Sequence, residues 1–311
     1  MSGMRTVRYF AAFLALAWAG ALWSQQSNLD LGRVLDPNTS ALAVPPANSM
    51  VWICPMDPDI RQHDPGTCPR CGMKLDNKLP EPIEYHLDLK VTPQAPRPGT
   101  PLRLSFAVHD PWKNNPVTKF LPIHERLFHM FVVGPNLEFF LHDHPVFAPD
   151  GQFHYDNLVL PAPGMYRVLG DFYPDAATPQ LIAKTIILPG QAPPPVSLTK
   201  DYSPKDAQNL NVRFSTVPAQ PIAGVSTQLH FKLTPGDGFE PYLGAWGHML
   251  VASDDLIDLI HLHPFIADGG PEVQFNVVFP RPDHHYRVWV QFQRKGVVNT
   301  ARFDVKAEDL H

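Results

Sequence analysis

The sequence predicts an all-β protein: two tandem immunoglobulin-like β-sandwich domains, preceded by a small cysteine-rich knuckle and a signal peptide. The chain of 311 residues contains 36 prolines, and proline removes a backbone donor and ends helices. Beyond the N-terminal segment no stretch shows helical periodicity, whereas short alternating apolar runs end at Pro, Gly, Asn or Asp, as β-strands do. With 44% hydrophobic and 18% charged residues, the composition is typical of packed globular domains.

The N-terminus has the pattern of a secretory signal peptide. Arg5 and Arg8 precede an uncharged apolar run from Tyr9 to Trp23. That run is shorter than the roughly 20 residues a membrane-spanning helix needs, so we expect a signal peptide at residues 1–24, cleaved after Ser24. The alternative is an uncleaved anchor, the one case in which the protein would contact a membrane. Both interpretations predict a periplasmic or secreted, extracytoplasmic bacterial protein.

After a polar linker at residues 25–50 and the cysteine module at 51–79, the chain contains two repeats. We assign the first β-sandwich to residues 80–190 and the second to residues 207–311, each of immunoglobulin-like size. Residues 191–206 are proline-rich and predict a semi-rigid spacer. The motifs shared by the repeats are His-Met at 129–130 and 248–249, His-x-His-Pro at 142–145 and 261–264, and Tyr-Arg-Val at 166–168 and 286–288.

The repeated histidines predict a possible second kind of metal site. A hairpin that turns at Pro135-Asn136 would pair His129 with His142, and His144 would point to the same face two residues further on. The second repeat has the same spacing at His248, His261 and His263. Three neutral imidazoles on one face can chelate Cu(II), Zn(II) or Ni(II). The alternative is that these histidines are structural and satisfy buried backbone groups.

All three cysteines of the chain lie in the short module. Cys68 and Cys71 form a C-x-x-C turn that can place two thiolates on one ion, and Cys54 lies upstream. Met56 and Met73 each follow a cysteine by two residues, and soft sulfur ligands favour Cu(I). His63 could instead complete a Cys3His set for Zn(II). A disulfide is the alternative outside the cytoplasm, but it would leave one thiol unpaired.

The stretch VWICPMDPDIRQHDPGTCPRCGMKL, residues 51–75, resembles the heavy-metal-binding domain with the pattern Y-x-C-P-M-H-P…P-G-x-C-P-x-C-G-M-x-L. That module accompanies copper and silver efflux adaptors and copper-transporting P-type ATPases, which implies a metal-handling partner. Two positions depart from the pattern: Trp52 replaces Tyr, and Asp57 replaces His, which we expect to remove a ligand. The β repeats resemble secreted bacterial domains with a G-H-x…H-x-H-P signature.

These features predict a metal-binding protein that is not an enzyme. The β repeats lack the cysteine that a blue-copper site requires, and no known catalytic motif occurs. A net charge of -5 argues against nucleic acid as a partner. We expect copper binding in sequestration, chaperoning or resistance, with the metal ion and an efflux or delivery protein as partners. The alternatives are an immunoglobulin-like interaction protein with a structural zinc knuckle and, as a weaker third class, an oxidoreductase with a histidine-only copper site.

Overall fold

A computed structural model of the chain describes residues 49–310, which form strands, turns and loops without a helix. Within these residues there is accordingly no helix with the length and apolar character needed to cross a membrane. The signal peptide expected at residues 1–24 and nearly all of the linker expected at 25–50 lie outside the described residues. All of the described residues belong to one compact unit.

The cysteine module is a three-stranded sheet with little core of its own. Its strands are β1 (Val51–Ile53), β2 (Arg61–Gln62) and β3 (Asp76–Lys78), in the order β2-β1-β3. Val51 and Ile53 are buried against Ala176 of the first sandwich. Arg61 donates a hydrogen bond to the Ala176 carbonyl at 3.1 Å. The module is therefore docked on the first sandwich.

The first sandwich consists of two antiparallel sheets with strand orders β4-β5-β10-β9 and β12-β11-β7-β8, and β6 pairs with β11. These orders match the A-B-E-D and G-F-C sheets of an immunoglobulin domain with one added strand. The strands are β4 (His86–Thr92), β5 (Pro101–His109), β6 (Phe120–Leu121), β7 (Phe128–Val133), β8 (Phe140–Asp143), β9 (Val146–Phe147), β10 (Phe153–Val159), β11 (Gly164–Pro174) and β12 (Gln180–Leu188).

The second sandwich repeats this topology, with sheet orders β13-β14-β15-β19 and β16-β20-β17-β18, and β21 on β20. In both domains a buried tyrosine bonds back to an upstream carbonyl, Tyr166 to Ala162 at 2.9 Å and Tyr286 to Arg281 at 3.2 Å. This tyrosine corner is a mark of immunoglobulin-like domains, so the predicted fold class is confirmed. The strands are β13 (Lys205–Asp206), β14 (Asn211–Val217), β15 (Ser226–Thr234), β16 (Phe239–Glu240), β17 (His248–Ser253), β18 (Leu259–Leu262), β19 (Glu272–Val278), β20 (His285–Arg294) and β21 (Val297–Lys306).

The segment at 191–206, predicted to be a spacer, packs against the folded domains instead. Leu198 is buried in the contact between the two sandwiches. Asp201 forms a backbone bridge with Asp304, and Lys205–Asp206 is the edge strand β13 of the second sandwich. The proline-rich sequence did not distinguish a spacer from a packed segment, because extended linkers and edge strands both tolerate proline.

The two sandwiches pack against each other through the sheets that contain β7 and β17, whose residues are all buried. Alternate residues of β7 enter the first domain's core. Phe131 and Val133 face the other domain and form one apolar cluster with its Leu250. Trp289 stacks on Phe140 with ring centroids 4.9 Å apart and planes within 8°. Continuous apolar runs such as FHMFVV result from this burial on both faces.

The predicted histidine register is wrong by two residues. In the structure His142 lies opposite Phe131, and His261 lies opposite Leu250. The reason is the position of the turn: Gly134 donates to the Phe139 carbonyl and closes a loop over residues 135–138, whose centre lies one residue beyond the Pro135-Asn136 centre predicted from the sequence. A shift by an even number keeps each histidine on its predicted face, and that face is the one between the sandwiches.

Candidate metal sites

The three cysteines and Asp57 come together in the small module. Their ligand atoms all lie within 4.8 Å of one another. Cys54 follows β1, and its Sγ is 3.5 Å from Cys71 Sγ. Cys68 and Cys71 are held in one turn, in which the Gly72 amide donates to the Cys68 carbonyl at 2.8 Å. All three thiols are free, so the cluster can bind an ion through three sulfurs.

Asp57, expected to remove a ligand, lies inside the cluster. Its Oδ2 is 3.8 Å from Cys68 Sγ, and its amide donates to Cys54 Sγ at 3.3 Å. Its Oδ1 accepts from Lys113 and from Arg70. These hydrogen bonds, from Lys113 first and then Arg70, lower the pKa of Asp57 to about 2. The position therefore supplies an ionised oxygen donor where the family pattern has an imidazole.

The thiols are not equivalent. Burial opposes ionisation of Cys68, but the amides of Cys71 and Arg70 donate to its sulfur, and the pKa of Cys68 is lowered. The Met73 amide acts in the same sense on Cys71, yet burial and the two neighbouring thiols raise the pKa of Cys71 to about 11. Since the thiolate is the metal ligand, Cys68 reaches its metal-binding form more readily than Cys71.

Of the three other predicted ligands in the module, none is enclosed by the cluster. His63 does not complete a Cys3His set, because its Nε2 lies 2.7 Å from Asp175 Oδ1 of the first sandwich. Met56 and Met73 are 68% and 41% exposed. They lie next to the cysteines in sequence with their thioethers open to solvent.

The six predicted histidines form two compact groups. The first triad is His129 on β7, His142 on β8 and His144 just beyond β8. His129 Nδ1 lies 3.3 Å from His142 Nε2 and 3.1 Å from His144 Nε2. The second triad is His248, His261 and His263, with 3.1 Å between His248 Nδ1 and His263 Nε2. Within each triad the nitrogens lie within 4.8 Å of one another.

The two triads also face each other across the domain contact. The ring centroids of His142 and His248 are 5.2 Å apart, and those of His129 and His248 are 5.6 Å apart. The same separation, 5.6 Å, divides His129 from His142 within one triad. The six rings thus form one cluster across the contact between the sandwiches, which the sequence repeats alone did not predict.

Backbone carbonyls fix the innermost ring of each triad. His129 Nε2 donates to Ile123 O at 2.8 Å, and His248 Nε2 donates to Tyr242 O at 2.9 Å. Each carbonyl belongs to a tight hairpin, the first of which has positive φ at His124 and Glu125, as type I′ turns require. Since a carbonyl only accepts, the proton is on Nε2 and both Nδ1 lone pairs point into the cluster.

Side chains from the opposite domain fix a second ring in each triad. His142 Nδ1 donates to Gln291 Oε1 at 2.7 Å, and the Gln291 amide nitrogen donates to Thr300 at 3.1 Å. His261 Nδ1 donates to Asp171 Oδ2 at 2.6 Å. Asp171 and Gln291 were missed from sequence, although they are separated by the same offset, 120 residues, as the repeated Tyr-Arg-Val motif.

His124, in a turn of the first domain, also lies beside the histidine cluster. In the structure its ring lies over His263, with centroids 3.8 Å apart, and 5.8 Å from His248. A turn of the first domain thus covers the triad of the second. The second repeat has Leu243 at the corresponding position, so a comparison of the repeats alone gave no signal for this residue.

Burial keeps five of the six clustered histidines neutral. It is the first cause that lowers the pKa of His129 to about 3, of His142 to about 2 and of His144 to about 4. Burial also holds the pKa of His248 and His263 well below the usual value. Neutral imidazole is the form that ligates a metal ion, so these five side chains carry ligand-ready nitrogens at pH 7.

Two family models match the chain. The model described as "Heavy metal binding domain" matches residues 51–78. The model described as "Domain of unknown function (DUF8832)" matches residues 83–184 and 205–309, well over half of the chain. The first match shows that the cysteine module is a metal-binding domain, as the sequence pattern predicted. No curated protein matches the chain.

Three solved structures are similar to part of the chain. A two-domain fibronectin type-III segment of chicken tenascin is 14% identical, with 72% of this chain and 100% of that chain covered and a TM-score of 0.22. Yersinia pseudotuberculosis adhesin InvE is 12% identical, with 71% and 60% covered and a TM-score of 0.23. A bacterial ice-binding adhesin is 10% identical, with 73% and 66% covered and a TM-score of 0.23. The assignment of the immunoglobulin-like fold rests on the strand order of the two sandwiches and not on these similarities.

Proposed function

Since the chain belongs to the family described as "Domain of unknown function (DUF8832)" and carries a heavy metal binding domain, we propose that it is an extracytoplasmic copper-binding protein. It would sequester Cu(I), or pass the ion to an efflux or delivery protein, in the periplasm or outside the cell. The proposal assigns the protein a role in metal handling and resistance and no catalytic reaction.

One observation carries this proposal: three free thiols converge within 4.8 Å beside an ionised carboxylate. Thiolates are soft ligands and select Cu(I) over harder ions. Cys54 and Cys68 are buried, whereas Cys71 is exposed. An ion held by these sulfurs would be protected on one side and open to ligand exchange on the other.

The exposed thioethers support transfer rather than permanent storage. Met56 is 68% exposed and Met73 is 41% exposed, and each follows a cysteine of the cluster by two residues in the sequence. Thioether sulfur is a weaker, neutral ligand for the same soft ions. We infer that Met56 and Met73 take part when Cu(I) enters or leaves the cluster, and that the three cysteines hold it.

Copper is tested by titrating the reduced full-length protein with Cu(I) in the presence of a chromophoric Cu(I) chelator. We expect one ion per module, and a loss of affinity of at least 100-fold in the Cys54→Ser/Cys68→Ser variant. His63→Gln is the matched control, because His63 binds Asp175 outside the cluster. Unchanged Cu(I) affinity in the double serine variant would refute the proposal.

A structural zinc knuckle is the second candidate, and the position of Asp57 favours it. An oxygen donor beside three sulfurs suits Zn(II) better than Cu(I). In that case Zn(II) would bind tightly and raise the unfolding temperature of the module, while Cu(I) would not displace it. Parallel titration with Zn(II), followed by Cu(I) challenge, separates the two candidates.

A further inference from the structure

We propose that the two histidine triads form one dinuclear metal centre, shared by the two sandwiches, which binds two ions of the imidazole-preferring class such as Cu(II) or Zn(II). The first triad supplies His129, His142 and His144, and the second supplies His248, His261 and His263. This centre is separate from the cysteine cluster and goes beyond the Cu(I) function proposed above. It rests on the direction of the lone pairs, the groups that hold the rings, and the spacing of the triads.

The lone pairs of the first triad point at one another. His129 Nε2–H donates a hydrogen bond to Ile123 O, and His142 Nδ1–H donates one to Gln291 Oε1. The remaining nitrogens, His129 Nδ1 and His142 Nε2, are both acceptors and lie 3.3 Å apart. Two facing acceptors repel each other. A cation bound between them removes this repulsion, because both lone pairs then coordinate the ion.

The second triad shows the same feature in another form. His261 Nδ1–H donates to Asp171 Oδ2, and in the neutral ring the lone pair is then on Nε2. That Nε2 is buried and has no hydrogen-bond partner. Buried polar atoms are almost always satisfied, and an exception indicates a missing partner such as an ion. The nearby His248 Nδ1 likewise directs a lone pair inward, because its Nε2 donates to Tyr242 O.

The supporting contacts are those of metal-ligating histidines. Such a histidine donates its other ring N–H to a carbonyl or carboxylate, which fixes the tautomer and the ring orientation. Four of the six rings do so here, two to backbone carbonyls and two to side chains of the opposite domain.

The spacing indicates two ions. Each triad alone gathers three nitrogens within 4.8 Å, and three protein ligands with an open position is a common set for one ion. The rings of His142 and His248, from different triads, have centroids 5.2 Å apart. Two ions bound in this way are neighbours, and each retains a coordination position for an exogenous ligand.

Stoichiometry and magnetic coupling test the proposal. The full-length Cys54→Ser/Cys68→Ser/Cys71→Ser variant is titrated with Cu(II) sulfate, which removes the thiol site from the measurement. We expect two Cu(II) ions per chain whose electron paramagnetic resonance signal is weakened or split by their mutual coupling. One ion per chain, or two ions with isolated signals, would overturn the proposal. So would no binding by a variant whose circular dichroism matches that of the wild type.

Variants of the histidines distinguish a centre from adventitious binding. His263→Ala should leave one Cu(II) per chain with an isolated, nitrogen-coordinated signal, because the first triad is intact. His230→Gln, a histidine on β15 outside the cluster, should keep both ions and their coupling. If His230→Gln loses an ion or His263→Ala keeps both, the triads are not the ligands. If the wild type does not bind Cu(I), the function proposed for the cysteine cluster is refuted and the histidine centre is unaffected.

Discussion

Asp171 and Gln291 occupy equivalent positions in the two repeats, and each accepts a hydrogen bond from a histidine of the other domain. Asp171 binds His261 at 2.6 Å, and Gln291 binds His142 at 2.7 Å. Each also pairs across the strands with its own domain's first histidine, Asp171 with His129 and Gln291 with His248. The arrangement is reciprocal in geometry but not in charge, since one partner is a carboxylate and the other an amide.

This difference predicts unequal affinities for two ions. A carboxylate makes the histidine that it binds a stronger ligand, and such outer partners change metal affinity on the order of 10- to 100-fold. We expect Asp171→Asn to weaken the tighter of two Cu(II) ions by that factor and to leave the other unchanged, as measured by competition titration. Gln291→Glu is the complementary variant and should tighten the weaker ion. Equal effects of Asp171→Asn on both ions would contradict the assignment.

Asp57 provides a test of metal identity in the cysteine module. Its Oδ2 faces Cys68 at 3.8 Å, and oxygen donors suit Zn(II) better than Cu(I). We expect Asp57→Asn to weaken Zn(II) binding about 10-fold or more and to change Cu(I) affinity little. Asp59→Asn is a suitable comparison, because Asp59 also binds Arg70 but lies outside the cluster. Equal losses for both ions in Asp57→Asn would show that the carboxylate acts only through structure.

The contact between the sandwiches should control metal binding at the histidines. Trp289 is 3% exposed and stacks on Phe140 of the other domain. Trp289→Ala is expected to cost about 3–5 kcal/mol of unfolding free energy and to weaken binding at both triads without removing a ligand. Denaturant unfolding and Cu(II) titration measure the two effects. Ile187→Ala changes a residue 71% exposed on β12 and should do neither.

Acid should destabilise the metal-free protein. Burial lowers the pKa of His129 to about 3 and of His144 to about 4, whereas unfolded histidine titrates near 6.5. Between those values the unfolded state binds more protons, so stability falls as pH decreases from about 6.5 to about 4, by roughly 1.4 kcal/mol per pH unit for each such histidine. The check is urea unfolding in the presence of a chelator at several pH values.

Histidine variants show which groups cause the dependence of the unfolding free energy on pH. His144→Gln removes one of these groups, so its stability should depend less steeply on pH than that of the wild type. His230→Gln should retain the wild-type slope. A wild-type slope in His144→Gln would mean that other groups cause the acid loss.

The sequence predicted the two sandwiches and the three histidines on one face of each, because alternation and a shared offset are local patterns. It did not predict the histidine register, because the spacing of the residues alone does not locate the centre of the loop between β7 and β8. Nor did it predict that the triads meet. The apolar runs of β7 and β17 showed that both faces are buried, but not which surface covers them.

The cysteine module shows a similar limit. Its pattern predicted that the thiols converge, because C-x-x-C closes a tight turn. Asp57 was not expected among the sulfurs, since its orientation depends on Lys113, more than 50 residues away. His63 was predicted to be a metal ligand because the sequence did not reveal its partner. That partner is Asp175, which lies in the first sandwich.

The reciprocal contact of His142 with Gln291 and of His261 with Asp171 is what two identical subunits form about a two-fold axis. A homodimer of one repeat would carry the same residue at both positions, and its two halves would be equal. Joining the repeats in one polypeptide removes that constraint. A single substitution then acts on one half only, and the tandem chain can hold two neighbouring ions at different strengths.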